Sequence, residues 1–348
     1  MVLFCEFKIF NIFVQKFQGD FKMDETKVVL TPKQKAGSWL GSFGLIAILL
    51  IIFGFFSILL RSTYFNWGNF LNMVSFSSYV GIGAIGMTFC IMTGNFDISV
   101  GSMLALAGVL GASVALKLGG ITGVFVTLAV AVLLGFINGL FVTKLKIPAF
   151  ITTLGMLFVY RAIAYIYTDN NVQYITDRFW IFLGNGSFLG LPLPIYIMAV
   201  CYLIAFLMLR KAPIGRYIIA VGTNSRAAAL SGINVDNIKI LVFTLIGVFV
   251  GVSALINSSM LGAANPGMMG DGWEFQVITA VVLGGTALSG GSGSLGGTLI
   301  AALIVVFLKT GMSNAQVNSY WQQVATGVVL IVAVSLNKLK FWLLGQAQ

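Results

Sequence analysis

Apolar residues fall along this chain in runs of about 20, the length that carries one helix across a hydrocarbon core, separated by short polar or glycine-containing breaks. The runs lie at 39–60, 70–92, 98–116, 121–142 and 148–167, then at 193–210, 239–260, 273–289, 295–311 and 319–337. The pattern predicts an all-α integral membrane protein with about ten transmembrane helices, some short or broken by glycine. It divides the chain into an N-terminal tail, 1–38, a transmembrane domain, 39–337, that carries one long polar loop at 211–238, and a short C-terminal tail, 338–348.

Composition sharpens this reading. Of the 348 residues 58% are apolar and only 9% charged, which rules out a soluble pair of domains of the same length. The stretch Trp39 to Leu60 contains no charge at all, as the cost of inserting ionised side chains into lipid requires. Histidine is absent and the three cysteines, Cys5, Cys90 and Cys201, stand apart, so no metal site, redox motif, His-based acid–base chemistry or cofactor is expected.

The net charge of +10 comes from lysines and arginines grouped in short segments between the apolar runs, without the basic stretches and interleaved aromatics of a nucleic-acid binder. With the N-terminus in the cytoplasm, the inside segments hold Lys8, Lys16, Lys22, Lys27, Lys33, Lys35, Lys144, Lys146, Arg210, Lys211, Arg216, Arg226, Lys239, Lys338 and Lys340. The outside segments hold Arg61, Lys117, Arg178 and Lys309. This asymmetry and an even number of crossings place both termini of a multi-pass membrane protein in the cytoplasm.

In the N-terminal tail Phe4, Phe7, Phe10, Phe13, Phe17 and Phe21 recur every three or four residues, with Lys8, Lys16 and Lys22 between them. Two readings stand: a helix lying on the inner membrane surface, or translation beginning at Met23 with the stretch unstructured. Nothing in it resembles a cleavable signal.

Polar residues inside apolar runs are the candidates for a substrate path. Asp97 is the only acid between Glu25 and Asp169, and it sits with Asn95 and Ser99 in the break between the second and third runs. As structure, Asp97 or Ser99 caps the helix that starts near Val100. As function, the glycines around them break a helix inside the membrane and turn polar groups toward a pathway. Asn138, Arg161, Asn257, Glu274 and Gln276 complete the candidate set. Each reads either as glue between helices or as a solute contact, and Arg161, the costliest in lipid, requires a partner or a water-filled cavity.

Glycine occurs 41 times and is densest from Gly284 to Gly297. Such density lets helix backbones approach closely. The lysine of a phosphate-binding G-x-x-x-x-G-K-[ST] loop is missing, so nucleotide is not expected to bind here.

The loop at 211–238 contains one short helix: Asn224 or Ser225 can cap it, Arg226 to Ser231 continue it, and Gly232 can end it in a left-handed conformation. So short a helix is marginal alone, and two readings stand: it docks on a partner, or it is a surface loop without one. Arg226-Ala227-Ala228-Ala229-Leu230-Ser231-Gly232 resembles the E-A-A-x-x-x-G coupling loop of ABC importer permeases, with arginine where the wider family often has glutamate. Asp97 to Ser102, Lys144 to Gly155, Leu230 to Val235, Ala280 to Thr286 and Tyr320 to Gln323 resemble, in order, elements of the ribose, xylose and galactose branch of that family.

That resemblance implies a transport subunit and not an enzyme, working by alternating access on a monosaccharide or similar small polar solute. Its partners would be a cytoplasmic ABC ATPase subunit that receives Arg226, Ala227, Ala228 and Gly232, an extracytoplasmic solute-binding protein, and a second permease subunit, identical or related. The passage is expected to bind sugar weakly through few hydroxyl and amide contacts. The rival readings are an ion-coupled secondary transporter, for which Asp97 is almost the only coupling acid, and an intramembrane enzyme, which lacks paired carboxylates for acid–base work.

Overall fold

The computed structural model describes residues 32–343, and the expected surface helix over the phenylalanine repeat lies outside them, as do residues 344–348 of the C-terminal tail. The described chain is a bundle of helices: α1 (Pro32–Leu60), α2 (Trp67–Met92), α3 (Val100–Leu118), α4 (Gly120–Thr143), α5 (Ala149–Thr168), α6 (Arg178–Asn185), α7 (Leu193–Arg210), α8 (Pro213–Thr223), α9 (Ser225–Leu230), α10 (Val235–Leu261), α11 (Trp273–Leu283), α12 (Leu295–Asn314) and α13 (Ser319–Leu343). Seven described helices are long and apolar enough to cross a bilayer, and three shorter apolar stretches, Gly44–Leu60, Trp273–Leu283 and Ser319–Ser335, fall on the remaining expected crossings.

The eighth run departs from expectation. It was read as a crossing over 273–289, but α11 stops at Leu283 after 11 residues. That is a rise of about 16 Å, half the hydrocarbon thickness of about 30 Å. Residues 262–272 before it and 284–294 after it are turns and irregular chain, dense in glycine. Irregular backbone of this kind is tolerated in a membrane protein only where other protein or water satisfies it.

α2 and α3 form the centre of the bundle: 83% of the apolar stretch of α2 and 78% of that of α3 is buried within the protein, against 22% for α5 and 28% for α7. Their buried hydroxyls mark the inward faces and donate one turn back along the helix, as Ser77 does to the Met73 carbonyl at 2.8 Å and Thr88 to Ala84 at 2.7 Å. The most extensive pairing is between α4 and α10. Gly135 on α4 faces Gly247 on α10 and Gly139 faces Ile240, and a Cβ on Gly135 or Gly247 would land on the opposite backbone, on the Phe243 and Ala131 carbonyl oxygens respectively. This is the small-residue contact that drives helix association in lipid, where hydrophobicity gives no preference for protein over acyl chain.

Two short strand pairs fasten the connections. Gln173–Tyr174 pairs antiparallel with Ala263–Ala264, tying the chain after α5 to the chain after α10, and Ser187–Phe188 pairs with Leu191–Pro192. α6 is pinned to the end of α10 by side chains: Trp180 Nε1 donates to Ser258 Oγ at 3.1 Å, and Gly184 N donates to Ser259 Oγ at 2.6 Å. Asp177 caps α6 through the Trp180 N–H at 3.0 Å and reaches the first N–H of α4, on Gly120, at 3.0 Å. Those donors hold its carboxyl below the usual aspartate range.

Candidate functional site

The polar loop at one end of the bundle forms two short helices. Pro213 starts α8 at a position where no N–H is needed, and α9 is capped by Asn224, whose Oδ1 accepts the Ala227 N–H at 3.0 Å. Gly232, at φ 85°, ends the turn in the left-handed region. Arg226, Ala227 and Gly232 are exposed, whereas Ala228 packs back against the protein with 5% of its surface accessible. Leu230 is 86% exposed, and it lies one turn beyond Arg226 on the same face. α8 seats this unit on the bundle by backbone contact: a Cβ on Gly222 would overlap the Met92 carbonyl oxygen that ends α2.

The structure separates the polar candidates into groups. Asp97, Ser99 and Asn138 are fully buried and joined to one another. The Ser99 hydroxyl and N–H donate to Asp97 Oδ1 at 2.6 and 2.9 Å, Asn138 Nδ2 donates to Asp97 Oδ2 at 3.0 Å and to Ser99 Oγ at 2.8 Å, and the Tyr160 hydroxyl donates to Asn138 Oδ1 at 2.8 Å. The network locks the start of α3 to α4 and α5. Tyr160, which completes it, was not among the sequence candidates, because a tyrosine in an apolar run carries no sign of its partner. Asn95 closes a local turn through Nδ2 to the Thr93 carbonyl at 3.1 Å.

Arg161 finds its partners in backbone. Its Nη1 donates at 2.7 Å to both the Pro266 and Met269 carbonyls, holding the irregular segment ahead of α11 against α5. Asn257 lies on α10 with its Oδ1 buried and unpaired.

Glu274 and Gln276 open a different environment. Both border a cleft of about 650 Å³ between α11, α12 and α13, with Asp271, Lys309, Gln322 and Gln323 also in its walls. Lys309, counted from the sequence among the external charges, lies within α12 and faces this cleft. Asp271, Lys309 and the two glutamines were missed as lining residues. A signal for part of them exists: Ser319, Gln322, Gln323, Thr326 and Gly327 recur at helical spacing and make a polar stripe down α13.

The chain is similar in sequence to known proteins over most of its length. The family described as branched-chain amino acid transport system / permease component matches residues 69–334. The ribose import permease protein RbsC of Escherichia coli (strain K12) is 38% identical over 309 residues, which is 87% of this chain and 95% of the relative. RbsC of Haemophilus influenzae is 41% identical over 82% of this chain and 90% of its own length. The L-arabinose transport system permease protein AraH of Escherichia coli (strain K12) is 36% identical over 79% and 85%. No solved structure matches. Members of this family are multi-pass inner-membrane subunits that carry out transport without being enzymes, and they work with an ATPase and a solute-binding protein. The chain belongs to this ABC importer permease family, in its monosaccharide branch.

Proposed function

We propose that this chain is the membrane subunit that passes a monosaccharide into the cell by alternating access, driven by a separate cytoplasmic ATPase that grips α9. A second permease subunit, identical or related, completes the transmembrane core, and an extracytoplasmic binding protein delivers the sugar. The end of the bundle bearing α8 and α9 faces the cytoplasm, as do both termini. Arg210, Lys211, Arg216, Arg226 and Lys239 at that end support this orientation.

The single observation that carries the coupling role is the shape of α9. It is a capped helix of six residues that presents Arg226 and a nearly fully exposed Leu230 outward while Ala228 anchors it inward. A helix this short does not persist in water by its own hydrogen bonds, and an exposed leucine beside an arginine suits a groove with an apolar floor and an acidic rim. α8 passes any movement of α9 to the end of α2 through the Gly222 contact. Sugars named for the relatives make a pentose the first solute to test, and none of those relatives is an ion-coupled carrier.

The test is co-purification in mild detergent followed by ATP-driven uptake in proteoliposomes. Leu230→Glu should abolish recovery of the ATPase and lower uptake by more than about tenfold, as removal of a buried apolar anchor does. Retained ATPase and uptake in a correctly inserted Leu230→Glu protein would refute the coupling role.

A further inference from the structure

Glu274 and Gln276 are each only 7% exposed. Among the described residues neither finds a hydrogen-bond partner on another residue, and Glu274 is stabilised locally only by its own backbone N–H. No polar atom of either side chain is both fully buried and unpaired, whereas Asp97 is fully buried and satisfied by protein. The side chains instead border an open cleft of about 650 Å³, within the range of about 300–1,000 Å³ that small-molecule sites occupy.

The ionisable groups in the walls of this cleft are Glu274, Asp271 and Lys309. Both acids also lie within electrostatic reach of Arg161, which is outside the lining, and Asp271 lies within reach of Lys309. The walls therefore carry no excess of cations that would select an anion. The opposite wall, on α13, supplies the amides of Gln322 and Gln323, with Leu330 and Ile331 below them. Carboxylate oxygens accept from hydroxyls, an ammonium donates to them, and amides do both. Vicinal hydroxyls with an apolar C–H face match this set.

We infer that the α11–α12–α13 cleft is the sugar-contact surface of the passage, in which Glu274, Gln276, Lys309, Gln322 and Gln323 bind the hydroxyls of a neutral monosaccharide. This rests on the proposed transport function and adds the place and the groups that recognise the solute. The polar lining is richer than the few contacts expected from the sequence. It remains compatible with weak binding because the cleft is open and its groups are water-accessible.

The experiment uses the full transporter in proteoliposomes, with a mixture of radiolabelled D-ribose, L-arabinose, D-xylose and D-galactose as one probe and L-leucine as the other. Sugar uptake by the wild type is expected, with a fall of at least about tenfold in Glu274→Gln and in Gln322→Leu/Gln323→Leu, since a site left with unpaired polar groups loses its solute by such factors. Co-purification of the ATPase confirms assembly of each variant, and Gln323→Asn should recover part of the loss. Wild-type sugar uptake that the Leu/Leu double variant retains within about twofold, a change too small for a lost hydrogen bond, overturns the cleft assignment and leaves the transport reading intact. Leucine uptake in place of sugar overturns the transport reading and the sugar assignment with it. Independently, Gln323→Cys should react with a charged thiol reagent in membrane vesicles and be protected by the sugar mixture. Absence of reaction would show a lipid-facing surface and overturn the site.

Discussion

Asp97 and Glu274 are two buried carboxylates in one helical bundle, and their surroundings are opposites. Asp97 receives hydrogen bonds from Ser99 and Asn138 on both oxygens, and Tyr160 closes the far side of the network. Among the described residues Glu274 receives none from another residue; its Oε2 packs against Gly101 of α3, and the residue borders the cleft shared with Lys309, Gln322 and Gln323. Asp97 is satisfied by protein, and under the cleft proposal Glu274 is the one open to a solute.

The largest expected effect tests the first half of that contrast. Asn138→Leu removes the donor to Asp97 Oδ2 and to Ser99 Oγ and the acceptor of Tyr160, leaving one oxygen of a buried carboxylate and a buried hydroxyl without protein partners. The expected loss is about 3–5 kcal/mol of stability, seen as a fall in melting temperature and in yield of the purified protein. If the protein is as stable as wild type, Asp97 is not held by this network and the contrast with Glu274 dissolves.

Arg161→Met should come next in size. It deletes the charged hydrogen bonds that the one Nη1 makes to the Pro266 and Met269 carbonyls, with an expected cost of about 1.5–3 kcal/mol, the range for a hydrogen bond to an ionised partner. Because those carbonyls fix the segment that leads into α11, the variant should also expose 262–272 to protease while leaving α9 and ATPase recovery as they are. Unchanged proteolysis would mean that Arg161 belongs with the cleft and not with the scaffold.

Most crossings were legible because they are apolar runs of bilayer length, and α9 because Asn224, the alanines and Gly232 mark its start, body and stop. The grouping of the polar candidates was not legible. In a helix apolar on every side, periodicity does not say which face meets protein and which meets lipid, so nothing along the chain joins Asp97 to Asn138 and Tyr160 or parts them from Glu274. The half-length α11 escaped because Gly284 and Gly285 look the same in sequence whether they loosen a helix or end it. At Gly285 the chain turns to φ 90° and ends it. Ala228 carries a motif letter like its neighbours, and nothing along the chain shows that it alone of the alanines in α9 is buried against the protein.

Asp177 offers a third case, a carboxylate at the water-exposed rim. Its hydrogen bonds to the Trp180 and Gly120 N–H groups lower its folded pKa, so its contribution is fully present above the unfolded value of about 3.9. It is lost as pH falls from there through the folded value. Asp177→Ala should cost about 1 kcal/mol as a lost N-cap and remove the part of the acid sensitivity below about pH 4 that belongs to α6, read by thermal melts from pH 7 to pH 3. An acid profile unchanged by the substitution would refute the capping role.

The smallest effect bears most directly on the comparison. Gln323 lies on the exposed face of α13 and borders the cleft. If water fills the cleft, Gln323→Leu exchanges one solvated side chain for another and should change stability by no more than about 0.5 kcal/mol, as substitutions at solvated surface positions do. If acyl chains fill it, the glutamine is a standing penalty and leucine should stabilise the protein well beyond that limit, because leucine inserts favourably where polar groups do not. Melting temperatures of the two proteins in the same bilayer mimetic decide between the cases. A near-zero shift together with the loss of uptake would place Gln323 with Glu274, on the side of the molecule that is kept for the solute.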